Sequence, residues 1–111
     1  PRLEVNTKAI GKTYKVGDKI EIPSYTVSDN SGSYNLDVML ICPDNYIVYL
    51  LNDNSGEITS CLNAENAKLP SGLLVDKKTF RLTKSGVYTL RFFAYDEFYN
   101  CVTVDVTIVV E

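Results

Sequence analysis

The sequence predicts an all-β chain folded as an antiparallel β-sandwich of about seven to nine strands. Three observations lead there. Runs rich in Val, Ile, Thr and Tyr with a period of two recur about every 8–12 residues, each closed by Gly, Pro, Asn, Asp or Ser. No stretch of useful length carries the 3.6-residue apolar period of a helix. Two long β-rich runs, 80–95 and 101–110, flank a polar turn at 96–100, and the first contains Leu82, Gly86 and Tyr88. Gly86 has access to positive φ and opens the strand. Tyr88, two residues on, is placed to turn its ring inward and bond its hydroxyl to backbone near 82–84, as a tyrosine corner does.

The elements follow in order. Leu3 and Val5 alternate as a short edge strand, and residues 13–16 form a second edge piece. Gly17-Asp18 is a turn. Lys19-Ile20-Glu21-Ile22 places both isoleucines on one face. Pro23 lacks an N–H, so it ends that strand or marks an edge, and residues 25–27 continue extended. Residues 28–33 are a loop by composition.

Tyr34, Leu36, Val38 and Leu40 then alternate with polar neighbours, and Met39 and Ile41 make the strand end apolar on both faces. Pro43-Asp44-Asn45 is a tight turn. Residues 46–51 return as a strand, and 52–56 read as a polar loop. Residues 57–62 suit a short strand, and 63–68 have helical composition but too little length to stand alone. Pro70-Ser71-Gly72 breaks the chain, and 73–75 read as a strand or as a loop that plugs the core. The expected core is Ile20, Ile22, Leu36, Val38, Leu40, Phe80, Leu82, Tyr88, Leu90 and Phe92, with Val102, Val104, Val106 and Ile108 or their alternates.

Composition narrows the function. The 111 residues suit one domain, expected to span 1–111 as a piece of a longer multidomain protein. A chain of this length buries roughly 65% of its unfolded surface, enough for a core without metal or disulfide staples. Lys and Arg number 11 against 14 Asp and Glu, for a net charge of −3. That balance lacks the basic footprint of nucleic-acid binding. The apolar runs are too short to insert in a membrane as a helix. There is no His and no Trp. The usual general base is therefore missing, and an enzyme is not expected. The three cysteines, Cys42, Cys61 and Cys101, leave at least one unpaired. Three free thiols are expected, with Cys42–Cys61 the pair to form if any does.

The segments Gly17 to Pro23, Val27-Ser28-Asp29-Asn30, Phe80-x-Leu82, Gly86-x-Tyr88, Ala94-x-Asp96 and Asn100 resemble a bacterial immunoglobulin-like domain. The related modules are hyaline-repeat and PKD-type domains of surface and secreted proteins. The match covers about residues 14–110, with 52–78 fitting poorly. It departs from antibody domains at Leu90, Ile20 and Ile22, which stand where disulfide cysteines would be, so Leu90 pins the sheets by apolar contact alone. It also departs at Tyr99, which stands where the family's Asp-x-x-Gly-Asn turn has Gly; a tyrosine there must change the turn or carry strain.

What the resemblance implies is a non-catalytic structural or spacer module, extracellular or at the cell surface, whose partners are adjoining domains of its own chain. The alternative is an adhesion module binding carbohydrate or host protein. Sandwich connectivity brings the loops at 28–33, 52–57 and 96–100 to one pole. Phe98 and Tyr99 form an aromatic tip there, the expected ligand-binding pair. Asp29, Asn30, Asp53, Asp96 and Asn100 supply hard oxygen ligands of the kind a weak Ca²⁺ site takes. The same residues are equally the ordinary formers of turns, and no other cofactor is expected.

Overall fold

The computed structural model describes residues 1–11, 13–60 and 69–111. Among them are ten strands: β1 (Arg2–Val5), β2 (Thr13–Tyr14), β3 (Lys19–Glu21), β4 (Tyr25–Ser28), β5 (Asn35–Ile41), β6 (Ile47–Asn54), β7 (Glu57–Ser60), β8 (Thr79–Arg81), β9 (Gly86–Tyr95) and β10 (Cys101–Val110). One 3₁₀ turn, Thr7–Ala9, joins β1 to β2.

The larger layer is a six-stranded sheet in the order β2-β10-β9-β5-β6-β7. It is antiparallel except where β2 runs parallel to the end of β10, pairing Thr13 with Val109. The other layer is built from the pairs β1-β4 and β3-β8. Strands β3 and β4 are one path that changes partner at Pro23. Ile22 N–H bonds to Lys78 O on one side, and Ser24 O accepts from Asn6 N–H on the other. A residue without an N–H sits where a ladder donor has no use.

This is an immunoglobulin-like β-sandwich. All ten residues named above for its centre are buried, Leu36, Val38, Leu40, Phe80, Leu82, Tyr88, Leu90 and Phe92 completely. Val106 and Ile108 are buried too, whereas Val102 and Val104 are only half-buried. Leu73 plugs the core without belonging to a strand, and Leu74 makes a lone bridge to Phe80.

Two features of the corner at β9 hold the layers in place. Tyr88 is buried, and its Oη accepts the backbone N–H groups of Thr83 at 3.1 Å and Lys84 at 3.0 Å. Gly86 has φ +125°, and a Cβ there would lie 2.8 Å from Pro43 Cβ. Only glycine suits both the dihedral and the space.

The polar stretch 52–56 is not a loop. Strand β6 runs on to Asn54, pairing Asn52 with Asp37 and Asp53 with Leu36. Only Ser55 and Gly56 form the turn, both at positive φ, the two-residue geometry whose twist matches a hairpin. The expected helical composition at 63–68 and a Cys42–Cys61 pair fall outside the described residues. Cys42 and Cys101 are free thiols, the first buried and the second exposed. Among the described residues no helix is long and apolar enough to cross a membrane.

Candidate functional site: the loop pole

Sheet register decides which connections meet. Asn35 pairs with Asn54 on one side and with Tyr95 on the other, and Tyr95 pairs with Cys101. The turn 55–56, the loop 29–34 and the turn 96–100 therefore share one end of the sandwich.

Each turn is braced by its own polar residues. Asp29 Oδ1 accepts from Ser31 N–H at 2.9 Å and Ser31 Oγ at 2.7 Å, and Asp29 Oδ2 lies 3.1 Å from the Pro1 nitrogen. Those bonds, the Ser31 hydroxyl first, hold the Asp29 carboxyl down at about 2. Tyr34 N–H donates to Ser55 Oγ at 2.8 Å, and Ser55 Oγ donates to Tyr34 O at 3.0 Å, which ties the loop to the hairpin. Asp96 Oδ1 accepts from Phe98 N–H at 2.8 Å and Asn100 N–H at 3.0 Å, while its Oδ2 accepts from Asn100 Nδ2 at 3.0 Å. The Asn100 side chain is the main reason the Asp96 carboxyl sits below the usual range.

Asp96 N–H to Asn100 O, and Tyr99 N–H to Asp96 O, close the turn. Residue 99 then has to enter the left-handed region, and Tyr99 does so at φ +66°. A side chain there costs about 1–2 kcal/mol where glycine costs little. The turn keeps the shape a glycine would give it, and the tyrosine carries the strain. Tyr99 is 94% exposed and Phe98 70%.

The pole brings together Asp29, Asn30, Asp96 and Asn100, which line one shallow cleft of about 500 Å³ beside Phe98. A second cleft of about 400 Å³ lies between Tyr34, Asn35, Tyr95 and Glu97. Asn35 Nδ2 donates to Tyr95 Oη on its floor.

Asp53 is the exception among the candidate oxygen ligands. It is 5% exposed and faces the interior, where its carboxylate accepts from Tyr25 Oη at 2.9 Å, Tyr34 Oη at 3.3 Å and Gly56 N–H at 2.7 Å. Among the described residues no group of three or more acidic or cysteine side chains is arranged to hold a metal ion. The carboxylates of Asp29 and Asp96 accept hydrogen bonds within their own turns.

Sequence reasoning missed the tyrosine pair around Asp53 and the Ser55–Tyr34 tie. A signal for the first existed. Asp53 stands two residues after Leu51, an inward position, where a carboxylate needs buried donors.

No protein-family model matches this chain, and no curated protein sequence matches it. Among solved structures, murine CRIg is similar at 14% identity and a TM-score of 0.42, over 100% of this chain and 98% of that one. The immunoglobulin-like assignment rests on strand order and register, not on that likeness.

Proposed function

We propose that the chain is a non-catalytic module of an extracellular or cell-surface bacterial protein, of the hyaline-repeat and PKD-related kind, and that it makes an adhesive contact through Phe98 and Tyr99. The observation that carries this is the dihedral of Tyr99. A large aromatic is kept at φ +66°, almost fully in water, where glycine would relieve the strain. Strained, non-glycine residues persist where their side chains have a use. Tyrosine at a rigid turn offers a large contact area at little entropic cost, and aromatic anchors dominate protein interfaces.

The tip is convex, so the partner it suits is a protein surface with a recess. The polar clefts beside it supply acceptors for the rim of such a contact. Catalysis is not part of this reading, because the chain has no His and the carboxylates of Asp29 and Asp96 are bonded into their turns. The test is binding of the domain to arrays of extracellular proteins and of glycans, with Phe98→Ser/Tyr99→Ser alongside. Protein binding lost in the double variant supports adhesion. Glycan binding alone would assign the clefts instead, and no binding on either array would leave a spacer.

A further inference from the structure

The larger sheet ends in an open edge. Strand β10 is paired along its whole length with β9. On its other side, among the described residues, only Val109 and Val110 have a strand partner, β2. Strand β1 packs nearby, but it takes its register from β4 in the other layer.

Two hydrogen bonds fix which way the backbone groups point along this edge. Glu111 N–H donates to Tyr14 O in β2, and Asn100 O accepts from Asp96 N–H at the β9 side. Backbone groups alternate sides along a strand, and the β10 register has no irregularity. Thr103, Asp105 and Thr107, with Cys101, thus present their N–H and C=O groups to the open side. The even residues bond to β9.

Nothing in residues 101–107 guards that edge. Natural edges carry lysine, proline or a bulge against pairing. This one reads Cys-Val-Thr-Val-Asp-Val-Thr, and its one charge, Asp105, is paired with Arg91 through two bonds of 2.9 Å across the sheet face. Its inward-facing Val102 and Val104 are half-buried against the core, as are Leu3 and Val5 of β1, the strand that packs near β10. A strand added here would cover that apolar group.

We infer that a second copy of this chain occupies the edge, its β10 antiparallel to the first about a two-fold axis at Val104. Closed dimers have such an axis, and each residue then meets its symmetry counterpart. An axis at Val104 pairs Cys101 with Thr107, Val102 with Val106, and Thr103 with Asp105, and uses all of residues 101–107. It places a threonine hydroxyl opposite each carboxylate and valine opposite valine at the centre. An axis at Asp105 would set two carboxylates face to face, which is destabilising. An axis at Val106 would drive Thr103 against Val109, where β2 already sits.

Sedimentation of the chain from about 1 μM to about 1 mM, the span in which a weak homodimer forms, is expected to show monomer giving way to dimer. Thr103→Pro removes an N–H from the open edge and none from the β9 ladder, a position where proline is tolerated. It is expected to weaken association at least about tenfold, since the two-fold axis makes each substitution count twice and two interstrand bonds are lost. A cross-link decides the matter independently of that variant's folding. In a Cys101→Ser background, Val104→Cys lies on the axis and is expected to form disulfide dimer on oxidation above the level of its parent. Val102→Cys would stand about 13 Å from its counterpart, beyond bridging, and is expected to match the parent. A monomer across the whole range, undiminished association of folded Thr103→Pro, or equal cross-linking at 102 and 104 would overturn the assignment.

Discussion

Tyr25 on β4 and Asp53 on β6 join the two layers at the loop pole, the phenol donating to the carboxylate at 2.9 Å. Burial first, and then the carboxylate that accepts its hydrogen bond, push the Tyr25 phenol well above the usual tyrosine range. A raised value means that the folded state favours the protonated form. The stability this confers is fully present below the unfolded value of about 10 and is lost as pH rises through the folded one. Unfolding in urea should therefore separate wild type from Tyr25→Phe at pH 8, and the gap should narrow above about pH 10. A gap that stays constant to pH 11 would mean that the phenol is not coupled to the carboxylate.

Removing the acceptor is the harsher change. Asp53→Ala strips partners from Tyr25, from Tyr34 and from Gly56 N–H, and is expected to destabilise by about 1–3 kcal/mol. Chemical denaturation measures it, and a loss under about half a kcal/mol would place water in the carboxylate's stead.

At the corner, Tyr88→Phe leaves the N–H groups of Thr83 and Lys84 without their acceptor. A loss of about 1–3 kcal/mol is expected, with the fold kept. Leu90→Ala, in the fully buried centre of β9, should cost about 2–5 kcal/mol through the cavity it leaves.

Tyr99→Gly should raise stability by up to about 1 kcal/mol, since relief of the left-handed dihedral outweighs the added chain entropy. The same substitution should abolish any contact made by the tip. A thermal melt and the binding arrays together read both arms, and a destabilised Tyr99→Gly would refute the strain.

Thiol chemistry and cations offer two simpler checks. Burial pushes the Cys42 thiol up to about 11, so in the native protein it should react slowly with a disulfide reagent while exposed Cys101 reacts quickly. Calcium chloride should leave the melting temperature where magnesium chloride leaves it, because the carboxylates of Asp29 and Asp96 are bonded within their turns. A calcium-specific rise would instead place an ion among Asp29, Asn30, Asp96 and Asn100.

The sequence exposed the centre of the sandwich because period two and burial report the same thing there. Leu36, Val38 and Leu40 occupy alternate positions, and each points inward. The end of β6 was opaque for the opposite reason. Asn52, Asp53 and Asn54 look like a loop by composition, yet ladder pairing with β5 and two distant tyrosine hydroxyls make a strand of them. With partners 19 and 28 residues away, the only local mark is the inward position of Asp53, two residues after Leu51. Tyr99 was legible as a misfit but not in how it resolves. Asp96 and Asn100 fix the turn tightly enough that the backbone yields and the side chain does not. Val102 and Val104 belong to the inward set by period, and their partial exposure follows from lying at a sheet edge, a property of topology alone.

The placing of β5 between β6 and β9 has a consequence for how the chain is made. Leu40 on β5 pairs with Leu90, fifty positions later, while its hairpin partner Val48 follows at once. As the polypeptide emerges from its N-terminus, the β5-β6 hairpin is complete long before β9 exists. Until then one side of β5 is a bare, valine- and leucine-rich template, and closing that distance costs loop entropy before any contact repays it. Folding should be slow and should wait on the last third of the chain. Truncations ending before Gly86 should aggregate, not fold, because they lack β9 and with it the central seam of the larger sheet.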